Sequence, residues 1–142
     1  MKETIWTVQR DDFATEKDWF NYGMSNTATP TNPVSTALIQ LNGHDRFTAR
    51  NGEYFSLVQP YQFHENVPVA PGINVYSFGL KPEEHQPSGT INMSRIDTAV
   101  LNLVTKANFF DSVNTTAKFR IFAVNYNVLR IMSGMGGLAY SN

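Results

Sequence analysis

Period-two alternation in short runs, each closed by turn residues, constrains this chain more than any other feature of its sequence. In Ile73-Asn74-Val75-Tyr76-Ser77-Phe78-Gly79-Leu80, the side chains of Tyr76, Phe78 and Leu80 share one face, because successive residues of a strand point to opposite sides. Both faces carry apolar groups, which fits a sandwich strand partly covered outside as well. Similar runs at Thr4 to Val8, Ala37 to Leu41, Tyr54 to Gln59, Ile91 to Ser94, Ala99 to Thr105 and Lys118 to Asn127 suit strands far better than helices. Between the runs stand Asn42-Gly43, Asn51-Gly52, Pro71-Gly72 and Pro87-Ser88-Gly89, which tolerate positive φ or preset a bend. Residues 11 to 36 break the rhythm. They predict a long exposed connection with a short helical turn near Glu16 to Asn21, and the tract Asn26 to Pro33 is too poor in apolar residues to pack. The whole pattern predicts an all-β chain, an antiparallel sandwich or jelly roll, as one domain spanning residues 1–142.

Charge narrows the function classes. With 11 Lys+Arg against 12 Asp+Glu, the formal net charge is -1, and no basic stripe exists to neutralise phosphates, so no direct nucleic-acid partner is expected. Charged residues make up only 16% of the chain, against roughly 25% in an average soluble domain, which predicts extensive burial against other chains. The absence of cysteine from these 142 residues excludes disulfides, thiolate metal sites and a cysteine nucleophile within them. No run approaches the roughly 18 apolar residues of a membrane span, and the start Met1-Lys2-Glu3-Thr4 lacks the basic and apolar regions of a secretory leader. Neither membrane insertion nor secretion is expected.

Each candidate for chemistry has a plainer reading. His85, Ser88 and Asp97 supply the residue types of a nucleophile, base and orienting acid, but Ser88 sits in a Pro-Ser-Gly turn with no strand-to-helix elbow around it. Ser88 therefore reads as a turn residue, and Asp97 as a partner for Arg95 or a backbone amide. His44, His64 and His85 stand beside Asp45, Glu65 and Glu84, yet no pair has metal-ligand spacing, and each reads as a loop residue with a local hydrogen bond. The pairs Glu83-Glu84 and Asp11-Asp12 point to opposite faces of extended chain rather than across a cleft, and read as solvated or intersubunit ion pairs. Gly134-Met135-Gly136-Gly137 has no helix after it to offer free amides to a phosphate, so it reads as close backbone packing at a bend. Two N-glycosylation acceptor patterns occur. Asn92-Met93-Ser94 falls in an expected strand and reads as unmodified, whereas Asn114-Thr115-Thr116 lies in a polar loop, so Asn114 stays a candidate. Aromatic residues at 13%, without a positive groove, read as sandwich core and subunit contacts. No cofactor is expected.

Two stretches carry more information. The first, Tyr76 to Asp97, contains Lys81-Pro82-Glu83-Glu84-His85-Gln86-Pro87-Ser88-Gly89 and Ser94-Arg95-Ile96-Asp97, and the second runs from Arg120 to Asn142. Both resemble the C-terminal part of the major capsid protein of large icosahedral double-stranded DNA viruses, the iridovirus, phycodnavirus and mimivirus relatives. Trp6-Thr7-Val8-Gln9, Asn42-Gly43-His44-Asp45-Arg46-Phe47, Tyr54-Phe55 and Gln59-Pro60-Tyr61-Gln62 resemble that family in the same order.

The resemblance implies a double jelly roll, three copies of which form a pseudo-hexagonal capsomer. This chain would be most of the second jelly roll, incomplete without upstream strands and exposing unpaired edges if isolated. It implies a non-enzymatic, structural role in the virion shell, assembled in the cytoplasm of the infected cell. The implied partners are the rest of the capsid polypeptide, its own copies in a homotrimer and in neighbouring capsomers, and minor capsid proteins. The loop of Pro82, Glu83, Glu84, His85, Gln86, Pro87, Ser88 and Gly89, with Arg95 and Asp97, would be a rigid assembly corner. The segment Asn127 to Asn142 is too apolar to dangle and is expected as a last strand and close-packed tail inside the domain or the trimer. A carbohydrate-binding jelly-roll module is the alternative, favoured if exposed aromatic rings line a cleft. A metal enzyme of the cupin type ranks below it, since its histidines would have to cluster on inward-facing strands.

Overall fold

The structure, a computed structural model, describes residues 1–24, 31–110 and 116–140. Strand β1 (Glu3–Arg10) lies at the centre of a three-stranded antiparallel sheet, between β5 (Ile73–Ser77) and β7 (Ala117–Val124). Strand β2 (Val34–Leu41) is the centre of a second sheet. On one side it pairs with β6 (Ala99–Thr105), and on the other with two short strands, β3 (His44–Asp45) and β4 (Arg50–Asn51). The chain passes from the first sheet to the second after β1, returns at β5, crosses again at β6 and comes back at β7. This alternation between two antiparallel sheets is the jelly-roll pattern. Strands β8 (Leu129–Met132) and β9 (Met135–Leu138) form a separate hairpin.

The strand pattern puts the apolar residues between the sheets. Trp6 and Val8 of β1 share a face with Asn74 and Tyr76 of β5, and they meet Ala37 and Ile39 of β2, with Leu101 and Leu103 of β6 packed against them. Val34 also reaches this core although strict alternation from Ala37 would turn it outward. A register shift between Val34 and Thr36 supplies the extra residue that turns it in. Aromatic rings fill the centre: Trp6 to Phe55 at 5.2 Å, Phe55 to Phe47 at 5.6 Å and Phe47 to Tyr76 at 4.9 Å between centroids. Tilted pairs of this kind contribute about 0.5–1.5 kcal/mol each beyond burial of their area.

Three expectations are corrected. Tyr54 to Gln59 is not a strand. Tyr54–Val58 forms one wide π-helical turn that runs into the short helix α2 (Gln59–Phe63), with Pro60 near its start where a missing N–H costs nothing. Ile91 to Ser94 is not a strand either: Met93–Arg95 form a single 3₁₀ turn capped by the Asn92 side chain, which accepts from the Ser94 N–H at 3.0 Å. Residues 11 to 36 are not a wholly exposed connection. Helix α1 occupies Asp11–Thr15, before the expected Glu16 to Asn21; Phe13, Asn32 and Pro33 are buried, and β2 already begins at Val34. Of the Asn26 to Pro33 tract, residues 26–30 lie outside the described residues.

Turn chemistry follows the sequence in most places. Asn42 and Gly43 have φ of 51° and 79°, the conformation that lets a two-residue hairpin keep the strand twist, and Ser133 and Gly134 repeat it at 51° and 76°. Gly52 differs, because its φ is not positive. A Cβ there would sit 2.1 Å from the Val34 carbonyl oxygen, so close approach is what demands glycine.

Candidate assembly surface

Three features stand out on the surface: a locked loop, an apolar cleft between free strand edges, and the exposed hairpin. The loop after β5 is held from several directions. Ser88 Oγ accepts from the Lys81 N–H at 2.8 Å and donates to the Lys81 carbonyl at 3.1 Å, pinning the two ends of Lys81 to Ser88 together. Pro82 is buried beneath it. Lys81 Nζ pairs with Glu84 at 2.9 Å, Lys2 Nζ donates to the Glu84 carbonyl at 2.8 Å, and Glu83 accepts from the Glu65 N–H at 2.7 Å. Gly89 has φ +126° and its carbonyl oxygen would lie 2.5 Å from a Cβ on Gly79, so two glycines let the loop close on itself. His85, Gln86 and Pro87 form its exposed tip.

Arg95 ends the 3₁₀ turn, exposed. Asp97 is fixed through its backbone: Asn42 Oδ1 accepts from the N–H groups of Asp97 at 2.9 Å and Thr98 at 3.2 Å, tying the β2–β3 turn to the start of β6. The Ser88 hydroxyl donates to a carbonyl rather than to an imidazole, so the three residues His85, Ser88 and Asp97 are not arranged for nucleophilic attack. Among the described residues no three His, Cys, Asp or Glu side chains gather as a metal site. His44 is exposed on β3, and His64 is engaged elsewhere. It caps α2, and its Nε2 lies 2.7 Å from Glu3 Oε2, both side chains mostly buried, joining residues 61 positions apart where a local bond was expected. Asp11 and Asp12 face different partners: Asp12 pairs with Arg10 at 2.6 Å, and Asp11 with Thr116 at 2.6 Å and Lys118 at 3.4 Å. Thr116 holds the Asp11 carboxyl below the usual range, helped by Lys118. Asn114 lies outside the described residues.

The cleft was not foreseen. Strands β6 and β7 each end a sheet on the same side of the sandwich, and a cavity of about 160 Å³ opens between them, lined by Ile39, Leu41, Leu101, Ile121 and Ala123 among others. Inward-facing Phe119 and Ile121 remain about half exposed, as does Phe122 on the opposite face of β7. The signal was in the sequence. Phe119-Arg120-Ile121-Phe122-Ala123-Val124 is apolar on both faces, the composition of a strand covered on both sides.

The hairpin corrects a further expectation. Of the tail expected inside the domain or the trimer, residues 127–140 are not packed in the domain: β8 and β9 pair with each other, and their apolar side chains are exposed, while residues 141 and 142 lie outside the described residues. Nor do its glycines serve close packing, since a Cβ on Gly134, Gly136 or Gly137 would meet nothing within 4 Å. No described helix is long and apolar enough to cross a membrane.

Residues 1–137 match the family described as large eukaryotic DNA virus major capsid protein. Over 111 residues the chain is 68% identical to the major capsid protein of Phaeocystis pouchetii virus, covering 78% of this chain and 21% of that protein. It is 46% identical over 145 residues to the major capsid protein of Paramecium bursaria Chlorella virus 1, covering 90% and 32%. The PBCV-1 virus capsid, described quasi-atomically, superposes with a TM-score of 0.75 at 38% identity over 99% of this chain and 43% of that one. The Faustovirus major capsid protein, at 11% identity and a TM-score of 0.67 over 87% of this chain and 29% of that one, shares the fold. The chain thus spans between a fifth and a third of the length of these two curated relatives. With the two-sheet topology and the motifs of the Lys81 to Asp97 loop in place, the match over residues 1–137 settles the family: the chain belongs to the major capsid proteins of large eukaryotic DNA viruses.

Proposed function

We propose that this chain is most of the second, C-terminal jelly roll of a longer capsid polypeptide, and that it works by self-assembly without catalysis. The observation that carries this reading is the pair of free edges at β6 and β7, side by side over an apolar cleft. A jelly roll has eight strands in two sheets; with the short β3 and β4 beside β2 counted as one position, one further strand on β7 and one on β6 would complete both and close the cleft. An open edge with apolar faces invites strand addition. Phe119, Ile121 and Leu101, already partly covered, would then be buried completely, each adding about half or less of the roughly 1.5–3 kcal/mol of a full transfer from water. The cleft is lined mainly by aliphatic side chains, with Phe78 its one ring, rather than by a platform of rings, which favours a strand over a sugar.

Completed, the domain is a stiff block that associates by threes into a pseudo-hexagonal capsomer of an icosahedral shell. Its partners are the rest of its own polypeptide, its own copies and minor capsid proteins. The virion shell is its location, and the cytoplasm of the infected cell its place of assembly. The Pro82 to Gly89 loop, with Arg95 and Asp97, serves as an assembly corner, because its internal bonds fix the shape it offers to a neighbour. Light scattering tests the reading. The polypeptide extended upstream should give a soluble species of three copies, whereas this chain alone should give no such species and should associate without fixed stoichiometry as its concentration rises. A stable monomer in both cases would overturn the proposal.

A further inference from the structure

Resting on the reading that this chain belongs to a longer capsid polypeptide, we propose that the backbone preceding Met1 continues the extended run of β1, seated in a trough beside residues 90–94 and paired in register with Asn92. The start of β1 is bonded on both sides. The Lys2 N–H donates to the Val124 carbonyl at 2.7 Å, and the Lys2 carbonyl accepts from the Phe78 N–H at 2.8 Å. One residue earlier the partner changes. The Met1 nitrogen donates to the Ile91 carbonyl at 2.6 Å, and the Ile91 N–H donates to the Met1 carbonyl at 2.9 Å. Two residues that exchange both bonds form a hydrogen-bonded antiparallel pair, so the segment at Ile91 is already a strand partner for the chain arriving at β1.

The locked loop holds that partner in place. Its closure through Ser88, Gly79 and Gly89 brings the backbone back to Ile91, and the Lys2 side chain ties the loop to the segment after β7: its Nζ donates to the Glu84 carbonyl at 2.8 Å and lies 4.8 Å from the centre of the Tyr126 ring. Asn92, at φ -87° and ψ 95°, is still extended, and only at Met93–Arg95 does the 3₁₀ turn carry the backbone away. The register set by Met1 and Ile91 therefore has room for one more pair, with the residue preceding Met1 opposite Asn92 as a non-hydrogen-bonded pair. A cavity of about 720 Å³ lies there, lined by Met1, Thr90, Asn92, Asn125, Tyr126 and Tyr140 among others. Its walls are the two segments that meet the start of β1, so a backbone leaving Met1 between them enters it. The locked loop thereby acquires a role within its own polypeptide, as the seat for the chain that arrives at β1.

Cysteine pairs in the full polypeptide test the register. Non-hydrogen-bonded partners have Cα atoms about 4.5 Å apart, within the roughly 4.4–6.8 Å that a disulfide spans. A cysteine at the residue preceding Met1, combined with Asn92→Cys, should close a disulfide under mild oxidation. It should do so several-fold faster than Asn92→Cys combined with a cysteine one residue further upstream, whose side chain points to the opposite face. Because Asn92→Cys removes the cap of the 3₁₀ turn, a second measurement uses the unsubstituted polypeptide: the Met1 amide, donating to Ile91, should exchange its hydrogen as slowly as the amides inside β1. Two cysteine pairs that crosslink equally, or not at all, or a Met1 amide that exchanges freely, would overturn the continuation. Terminal sequencing of the protein from particles that begins at Met1 would instead sink the longer-polypeptide reading, which keeps the two failures apart.

Discussion

At the scale of single residues, Asn32 shows how buried polar groups fix this fold. Its Oδ1 accepts from the Val34 N–H at 3.0 Å, and its Nδ2 donates to Asn74 Oδ1 at 2.7 Å and to the Gly52 carbonyl at 3.1 Å. Asn74 completes the set by donating to the Gly72 carbonyl at 3.2 Å. Asn74→Ala therefore strands a donor and an acceptor away from water, and urea unfolding should register a loss of about 1–3 kcal/mol. Glycine positions separate by cause. Gly52→Ala forces a Cβ into the Val34 carbonyl and should destabilise more than Gly43→Ala, whose Cβ meets nothing and whose cost is the left-handed backbone, about 1–2 kcal/mol. Thermal unfolding of the two variants side by side checks the order. Charge behaves predictably too. Lys106, 2.7 Å away, holds the Glu53 carboxyl below its ordinary value of 4.5, and Thr116 does the same for Asp11 against 3.8. A lowered carboxyl pKa contributes stability above the unfolded value and loses it as pH falls through the folded one. The urea midpoint should therefore drop on acidification below about pH 4.5, and Lys106→Met should flatten that drop.

Elements are where the sequence misled and where the reasons are physical. Residues 99–105 form a strand over the span that alternation indicated, and β1, β2, β5 and β7 overlap their predicted runs. Tyr54 to Gln59 does not, because a short apolar run has no period of its own to separate strand from helix. The buried positions there are Phe55, Ser56, Gln59 and Pro60, which is helical spacing, but two of them are polar and hid the pattern. Gln59 is buried because it works as a bridge: its Nε2 donates to the Tyr54 hydroxyl at 2.9 Å, and its Oε1 accepts from the Ser77 N–H at 3.2 Å, replacing a strand partner on β5. The locked loop was legible through Pro82, Ser88 and Gly89, whereas the Glu3–His64 pair, 61 residues apart, carries no local signature. Phe55 is the anchor of the helical segment, fully buried against Trp6, Phe47 and Tyr54. Phe55→Ala should cost about 3–5 kcal/mol, whereas truncating half-exposed Phe119 in the isolated chain should cost much less. Denaturant midpoints of the two variants decide whether the core lies where the ring contacts put it.

For the whole molecule, the decisive property is that its core is open along one side. Val34, Ala37 and Ile39 of the central strand β2 are buried, while β6 and β7 carry apolar side chains that are half covered and backbone groups with no strand beyond them among the described residues. Stability is therefore unevenly distributed. Amides shared between β1 and β5 lie within a complete ladder, but those on the outer edges of β6 and β7 open to water without unfolding anything else. Hydrogen exchange should accordingly show β7 amides of two kinds in this chain alone: slow where they bond to β1, fast where they face outward. When the polypeptide is extended upstream, the outward set should slow toward the protection of the inward set, and binding of a dye that reports exposed apolar surface should fall with it. Unchanged exchange on the outer edges of both strands would mean that no strand adds there, and the cleft would then have to be closed by side chains of another subunit.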